Sequence, residues 1–262
     1  MSFRHSCVLL GTGTSTGVPI PGCRCAVCKS TEPKNFRNRA AALIRLASGE
    51  AILIDAGPDL RHQCLNHSVD RIDAVLYTHS HADHIYGTDD LRVFNFTKGS
   101  AIPCYGSKTT IQGITSAFPY LATPPDNYMG GFLAKLEFIT ISNSAPFSLF
   151  DTVIEPFPLP HGHVTVTGFR IGSFAYATDC KGLTEQSMKT LRGVETLVID
   201  GLRHKPHRTH NTVSEAIEIA RSVGAKKTVL THLSHDLEYQ YESENLPDDI
   251  YLGYDGMELP FS

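Results

Sequence analysis

Neither a long apolar run nor an excess of positive charge occurs in this sequence of 262 residues. The opening, MSFRHSCVLLGTG, carries an apolar stretch of only about four residues before glycine and threonine intervene. A secretory signal needs a longer apolar region and a membrane span needs roughly 20 residues. The expected compartment is therefore the cytoplasm, with no membrane partner. A formal net charge of −4 disfavours a protein whose main task is to grip nucleic acid by its phosphates, although a local basic patch would suffice for one. Internal repeats, low-complexity tracts and obvious linkers are missing. The segment Phe118–Gly131 is rich in Pro and Gly and reads as a loop inside a domain. A single domain over 1–262 is expected.

Tryptophan is absent, while histidine is abundant, with 13 copies. Histidine is the commonest metal ligand and a ready acid or base near neutral pH, so its placement matters more than its number. Hydrophobic residues make up 41% and charged residues 19%, enough apolar side chain for a sizeable packed core. Short apolar runs at Cys7–Leu10, Ala41–Leu46, Ile52–Ile54, Ala74–Tyr77, Phe169–Ile171, Phe174–Ala177, Leu197–Ile199 and Thr228–Leu230 suit strands by length and by their flanking residues. The clearest helix is Val213–Val223. Thr212 and Glu215 make a T-x-x-E capping box before it, and Gly224 can stop it. Weaker helices are expected at Asp59–Asn66 and Thr184–Leu191. The mixture predicts an α/β protein with much strand.

The run Ala74–His84 reads AVLYTHSHADH: an apolar strand followed by His79, His81, Asp83 and His84. In an extended loop His79 and His81, two apart, lie on one side and can grip one ion together. Asp83 and His84 are adjacent, so the chain must turn there for both to serve a second ion. Two-metal hydrolytic sites hold their ions ~3.5–4 Å apart. The same pattern, an apolar strand ending in His or Asp, recurs at Asp179, at His232 and, after a proline-interrupted run, at His161. Each of these alone is equally well read as a satisfied polar strand end.

HSHADH, the later His161, Asp179 and His232, and the early Leu53-Ile-Asp-Ala-Gly57 together resemble the metallo-β-lactamase superfamily over nearly the whole chain. The resemblance implies a four-layer αββα sandwich, with the metal site at the strand ends between two sheets. It implies one ion on His79, His81, His161 and Asp179, and another on Asp83, His84, Asp179 and His232. Asp179 would bridge the two, and Asp55 would support the loop from behind. His163 competes with His161. The latter is preferred because it follows the Pro-Leu-Pro run and precedes the strand at Gly168–Arg170 by the family's usual distance.

Three features narrow the branch. The glycine-rich stretch Leu10–Pro19 lacks both a P-loop lysine and Rossmann spacing, and it resembles the opening of ribonuclease Z and its phosphodiesterase relatives. Cys23, Cys25 and Cys28, in a loop at about 22–29, place three thiols where a soft ion would sit. Without an ion they are simply reduced cysteines. With His235 as a fourth ligand they resemble the structural zinc site of the phosphonate-pathway cyclic phosphate phosphodiesterases. His210, just before the capped helix, matches a histidine that protonates the leaving oxygen in the same relatives. The positive end of that helix would make it a readier proton donor. Arg203, Lys205, His207 and Arg208 form a basic patch beside it that either holds a substrate phosphate or is merely solvated.

The resemblance therefore implies a binuclear hydrolase that carries two zinc or manganese ions and one structural zinc. Its expected substrate is a small, cyclic phosphodiester. A metal-bridging hydroxide would attack, with Asp83 and His210 as catalytic residues. A ribonuclease Z-like nuclease shares this chemistry, but Phe118–Gly131 has no Lys or Arg with which to hold RNA. A thioester or lactam hydrolase and a non-catalytic metal-binding module are the remaining readings, and a homodimer is left open.

Overall fold

The computed structural model describes residues 5–123 and 131–262. One sheet contains β1 (His5–Gly11), β2 (Ala41–Arg45), β3 (Ala51–Ile54), β4 (Ala74–Leu76), β5 (Ile102–Gly106) and β6 (Leu136–Thr140) side by side in that order. The other contains β7 (Phe147–Leu149), β8 (Thr152–His161), β9 (Val164–Ile171), β10 (Phe174–Ala177), β11 (Thr196–Asp200), β12 (Lys227–Thr231) and β13 (Ile250–Leu252), again neighbour to neighbour. The last strand, β14 (Glu258–Phe261), returns to the first sheet and pairs antiparallel with β1. Each sheet mixes antiparallel hairpins with parallel pairs such as β3–β4 and β10–β11.

Side-chain alternation along these strands decides the layering. Successive residues of a strand face opposite sides of the sheet, and here both sides are apolar. Cys7, Leu9, Ile44, Ile52, Ile54 and Leu76 of the first sheet meet Ile154, Phe169, Phe174, Tyr176, Val198 and Val229 of the second in a central core. Their sequence neighbours point outward. Val8, Leu10, Leu43, Leu53 and Val75 pack under the helices α1 (Leu60–Asn66), α3 (Arg92–Lys98) and α4 (Lys108–Ala117). Ala175, Ala177, Leu197, Ile199 and Leu230 pack under α6 (Glu185–Leu191) and α7 (Val213–Val223). Three apolar cores require four layers, which makes this the αββα sandwich expected from the sequence. The short helices α2 (Ala82–Ile85) and α5 (Pro119–Ala122), and α8 (Tyr239–Asn245), complete the α-helical set among the described residues.

Local signals agree with the tertiary result. The Thr212 hydroxyl accepts from the Glu215 N–H, and the Glu215 carboxylate accepts from the Thr212 N–H. Gly224, at φ 74°, ends α7 in the left-handed conformation that glycine adopts without strain. The segment expected to be a loop, Phe118–Gly131, begins with the turn of helix α5, and its residues 124–130 lie outside the described set. Among the described residues, no helix is long and apolar enough to cross a membrane.

Strand β8 carries Pro156, Pro158 and Pro160 yet pairs with β9 from Ile154 to His161. Alternate residues turn their backbone N–H groups to the same side, so all three prolines lose donors on one edge only. That is the edge away from β9, and β7 covers it only as far as Ile154. The carbonyls on that side are used: the Lys181 N–H donates to Pro160, and the Ser187 hydroxyl donates to Pro158. Opposite Phe157 in the β8–β9 register stands Gly168. A Cβ there would lie 2.2 Å from the fully buried Phe157 ring. Gly168→Ala should therefore destabilise the fold by about 1–3 kcal/mol through overpacking, read as a lower midpoint in urea. An unchanged midpoint would show that the ring can shift freely.

Candidate metal centre and active site

The loop after β3 sets the geometry. Asp55 adopts φ 64°, a left-handed conformation that few non-glycine residues take, and its N–H donates to the Leu76 carbonyl. The Ala56 N–H donates to His84 O at 2.9 Å, and the Gly87 N–H donates to Ala56 O at 2.8 Å. These bonds hold α2 against the loop. Gly57 lies where a Cβ would stand 2.2 Å from the Asp83 carbonyl oxygen, so only glycine admits α2 so closely. Inside this frame the Asp55 carboxylate accepts from the Thr78 N–H at 2.8 Å, the Thr78 hydroxyl at 2.7 Å and His84 Nδ1 at 2.7 Å.

Strand ends then bring the remaining side chains to one rim. β4 leads into His79 and His81, and α2 makes the turn that directs Asp83 and His84 inward. β8 ends on His161, β10 runs into Asp179 and β12 runs into His232. Asp179 and His232 also take left-handed φ, at 51° and 58°. Donor atoms of His79, His81, His161 and Asp179 all lie within 4.8 Å of one another, as do those of Asp83, His84, Asp179 and His232. Asp179 belongs to both groups. His163 sits exposed on the turn between β8 and β9 and is not part of either cluster.

The chemistry of these atoms fits divalent metal. The Asp179 carboxylate is 2% exposed. Burial alone would push its proton affinity up, but His232, His84 and His79 around it hold it well below the usual carboxylate range. Burial works against charge on His84 too, and is outweighed by Asp179, Asp55 and Asp83, which hold this imidazole well above its ordinary range. His84 Nε2 and both ring nitrogens of His232 are buried with no hydrogen-bond partner. His84 Nε2 stands 3.4 Å and His232 Nε2 3.2 Å from the same Asp179 oxygen. Buried nitrogens converging unbonded on carboxylates are what a cation between them would satisfy. On the outer side of the rings, His84 is held by Asp55, and His161 Nδ1 donates to the Thr209 carbonyl at 2.9 Å.

A second cluster lies apart from the first. Sulfurs of Cys23, Cys25 and Cys28 stand 3.3, 3.5 and 3.5 Å from His235 Nδ1. One imidazole nitrogen has a single lone pair and cannot accept three thiol hydrogens at once. Ligands of tetrahedral zinc, with Zn–S ~2.3 Å and Zn–N ~2.0–2.1 Å, are separated by about 3.5 Å along an S···N edge. The Cys28 N–H draws the Cys25 thiol down to about 7. Burial first, then the neighbouring sulfurs, push Cys28 up to about 11. A cation would relieve that crowding of thiolates.

His210 lies beside the first cluster, its ring stacked on His232 at 4.7 Å between centroids and edge-on to His161 at 4.8 Å. Its Nδ1 donates to Asp200 Oδ2 at 2.7 Å. The sequence reading gave Asp200 no role, although it ends the apolar strand β11 in the same way that His or Asp ends the others. Its carboxylate fixes the orientation of the His210 ring. Of the basic patch, Lys205 and Arg208 are exposed. Arg203 approaches Asp236 at 3.9 Å, and the His207 ring lies 5.0 Å from that of His210. Arg37 was also missed. Its buried guanidinium donates to the carbonyls of Ser234 and Leu237, on either side of His235.

Residues 50–233 match the family model described as Beta-lactamase superfamily domain. The chain belongs to the metallo-β-lactamase superfamily. A crystal structure of a diphosphatase from the PhnP family superposes with a TM-score of 0.91 and 39% identity, covering 99% of this chain and 98% of that one. An octanoyltransferase of Porphyromonas gingivalis is 39% identical over 96% of this chain, which spans only 51% of that protein's length. A ribonuclease Z of Mycolicibacterium gilvum is 26% identical over 90% of this chain and 86% of its own. The chain thus carries the metallo-β-lactamase fold with His/Asp clusters that could hold metal, and the likeness to the PhnP branch expected from the sequence stands.

Asp55→Ala should leave His84 Nδ1, the Thr78 N–H and the Thr78 hydroxyl without their acceptor. Each orphaned buried group costs roughly 1–3 kcal/mol, so urea unfolding of chelator-treated protein should show a loss of several kcal/mol. A loss below that of a single group would mean that the loop repacks around the gap.

Proposed function

We propose that this chain hydrolyses small phosphodiesters at a two-ion centre. The observation that carries the reading is Asp179, shared between two four-residue clusters, with the Asp200-backed His210 at their edge. His79, His81, His161 and Asp179 hold one ion. Asp83, His84, Asp179 and His232 hold the other. Zinc and manganese both suit a set of imidazoles and carboxylates. When bound, such ions lower the pKa of water toward neutrality and offset charge growing on phosphoryl oxygens.

The protein's own residues do the rest. Asp55 and the Thr209 carbonyl fix ring orientations of His84 and His161. Asp83 ligates at the mouth of the centre, and Asp200 holds His210 Nδ1, which leaves Nε2 free to protonate the departing alkoxide. Cys23, Cys25, Cys28 and His235 hold a structural zinc that ties the 22–29 loop to the segment following His232. The names of the PhnP-family diphosphatase and the ribonuclease Z support chemistry at phosphorus.

A second reading rests on the octanoyltransferase relative. Half of that protein's length corresponds to this chain, so acyl or thioester chemistry is the competing class. Turnover of bis(p-nitrophenyl) phosphate against an S-octanoyl thioester separates the two. Chelator-sensitive release of nitrophenolate from the first supports the phosphodiesterase reading. Hydrolysis of only the thioester by the metal-loaded protein moves the assignment to acyl chemistry.

Loss of a general acid costs about 10²–10⁴ in rate. His210→Ala should show that loss on an alkyl leaving group and a much smaller one on nitrophenolate. Equal losses on both would remove the proton-donor role. Cys25→Ser should lower tightly bound metal by one equivalent, measured by mass spectrometry of the purified protein. Unchanged metal content would exclude the zinc role of this cluster.

A further inference from the structure

The proposed reaction uses one carboxylate oxygen of Asp200 and leaves the other unassigned. It is fully buried at the end of β11, between the ends of β10 and β12. Its Oδ2 accepts from His210 Nδ1 at 2.7 Å and from the Cys180 N–H at 3.0 Å. Its Oδ1 is buried and has no partner. His232 Nδ1 is likewise buried and unpartnered. One donor atom each from Asp200, His210 and His232 lies within 4.8 Å of the others, so an unpartnered acceptor and an unpartnered donor sit on two residues of one small cluster. An unpaired buried carboxylate oxygen costs free energy comparable to a lost hydrogen bond. The unpartnered donor on a residue of the same cluster is His232 Nδ1, which a shift of its ring would bring to that oxygen.

We infer that Asp200 is a positioning residue shared by two histidines: it backs the metal ligand His232 through Oδ1 and the proton donor His210 through Oδ2. The inference rests on the two-ion reading above. His84 supplies the precedent within this molecule, with its Nδ1 on Asp55 and its Nε2 turned to the metal cluster. In His232, an ion held by Nε2 would fix the tautomer with hydrogen on Nδ1, for which the unpartnered Asp200 Oδ1 would be the acceptor. A carboxylate behind a ligating imidazole raises its basicity and fixes its ring, and loss of such a partner weakens metal binding by roughly 10–100-fold. One side chain therefore links occupancy of the ion on His232 to the orientation of the group that protonates the leaving oxygen. The stacked rings of His210 and His232, 11° from parallel, are held in that relation by a common anchor.

Two titrations test this. Metal affinity of Asp200→Asn, His210→Ala and the unaltered protein is measured against a competing chromophoric chelator, with circular dichroism to confirm folding. The expected result is roughly 10–100-fold weaker binding of one of two ions in Asp200→Asn, with His210→Ala binding both as the unaltered protein does. Turnover of Asp200→Asn is then measured at saturating metal. It should fall on an alkyl phosphodiester more than on a nitrophenyl one. Two ions bound at unaltered affinity in Asp200→Asn would overturn the His232 arm. Weakened binding in His210→Ala would overturn the division of labour, since that ring would then hold the ion itself. If Asp200→Asn does not fold, the His210→Ala titration still decides the second point, and Asp200→Glu replaces it for the first, with restored affinity expected relative to Asp200→Ala. The metal titration requires no substrate, so absence of phosphodiester turnover in the unaltered protein counts against the proposed function and leaves this test standing.

Discussion

A carboxylate buried away from water is tolerated only when positive charge or hydrogen-bond donors surround it, and Asp179 is such a group. His79, His84 and His232 surround it. They come from the ends of β4 and β12 and from α2, so the carboxylate can be satisfied only if both sheets are correctly packed. The central core does that work. Its interleaved residues fix the two sheets face to face, and the strands then deliver their last residues to a shared rim. The gathering of these side chains is accordingly a property of sheet packing before it is a property of any loop.

Three of the residues at that rim, Asp55, Asp179 and His232, take a left-handed backbone. Conformations of that kind cost of order 1–3 kcal/mol each and persist only where the surroundings fix them. Here the fixing contacts are visible. Asp55 is tied to Leu76 and Thr78, and the residue after His232 bonds both ways to the N-terminal loop, with the Leu233 N–H on Thr12 O and the Thr14 N–H on Leu233 O. Arg37 and the Cys/His cluster tie down the segment just beyond. Residues 12–37 thus serve as a clamp on the segment after β12.

Much of this was readable in the sequence, and the reasons differ by element. Strands buried on both faces appear as continuous apolar runs, so β1, β2, β3, β4, β10, β11 and β12 were visible. β6 and β7 are short and half-exposed at sheet edges and carry no such signal. The HxHxDH run stood out because potential ligands so close in sequence have few other uses. His161, Asp179 and His232 were singled out by the strand-end pattern, the family resemblance gave them to the same centre, and the structure brings them together with that run. Asp200 obeys that pattern too, but its function depends on a hydrogen bond across ten residues of loop, which no spacing rule encodes. Arg37 was invisible because a buried guanidinium held by carbonyls looks, in sequence, like any surface arginine.

The prolines of β8 have a consequence for what this sheet can meet. Open sheet edges invite further strands, in the same chain or another. Along Pro156–Pro160 an incoming strand would find three missing donors, and carbonyls already engaged by Lys181 and Ser187. The edge that leads to His161 is therefore closed to strand addition, by a neighbouring copy or by an extended peptide. It needs no further strand beside the rim and so is not a point of aggregation.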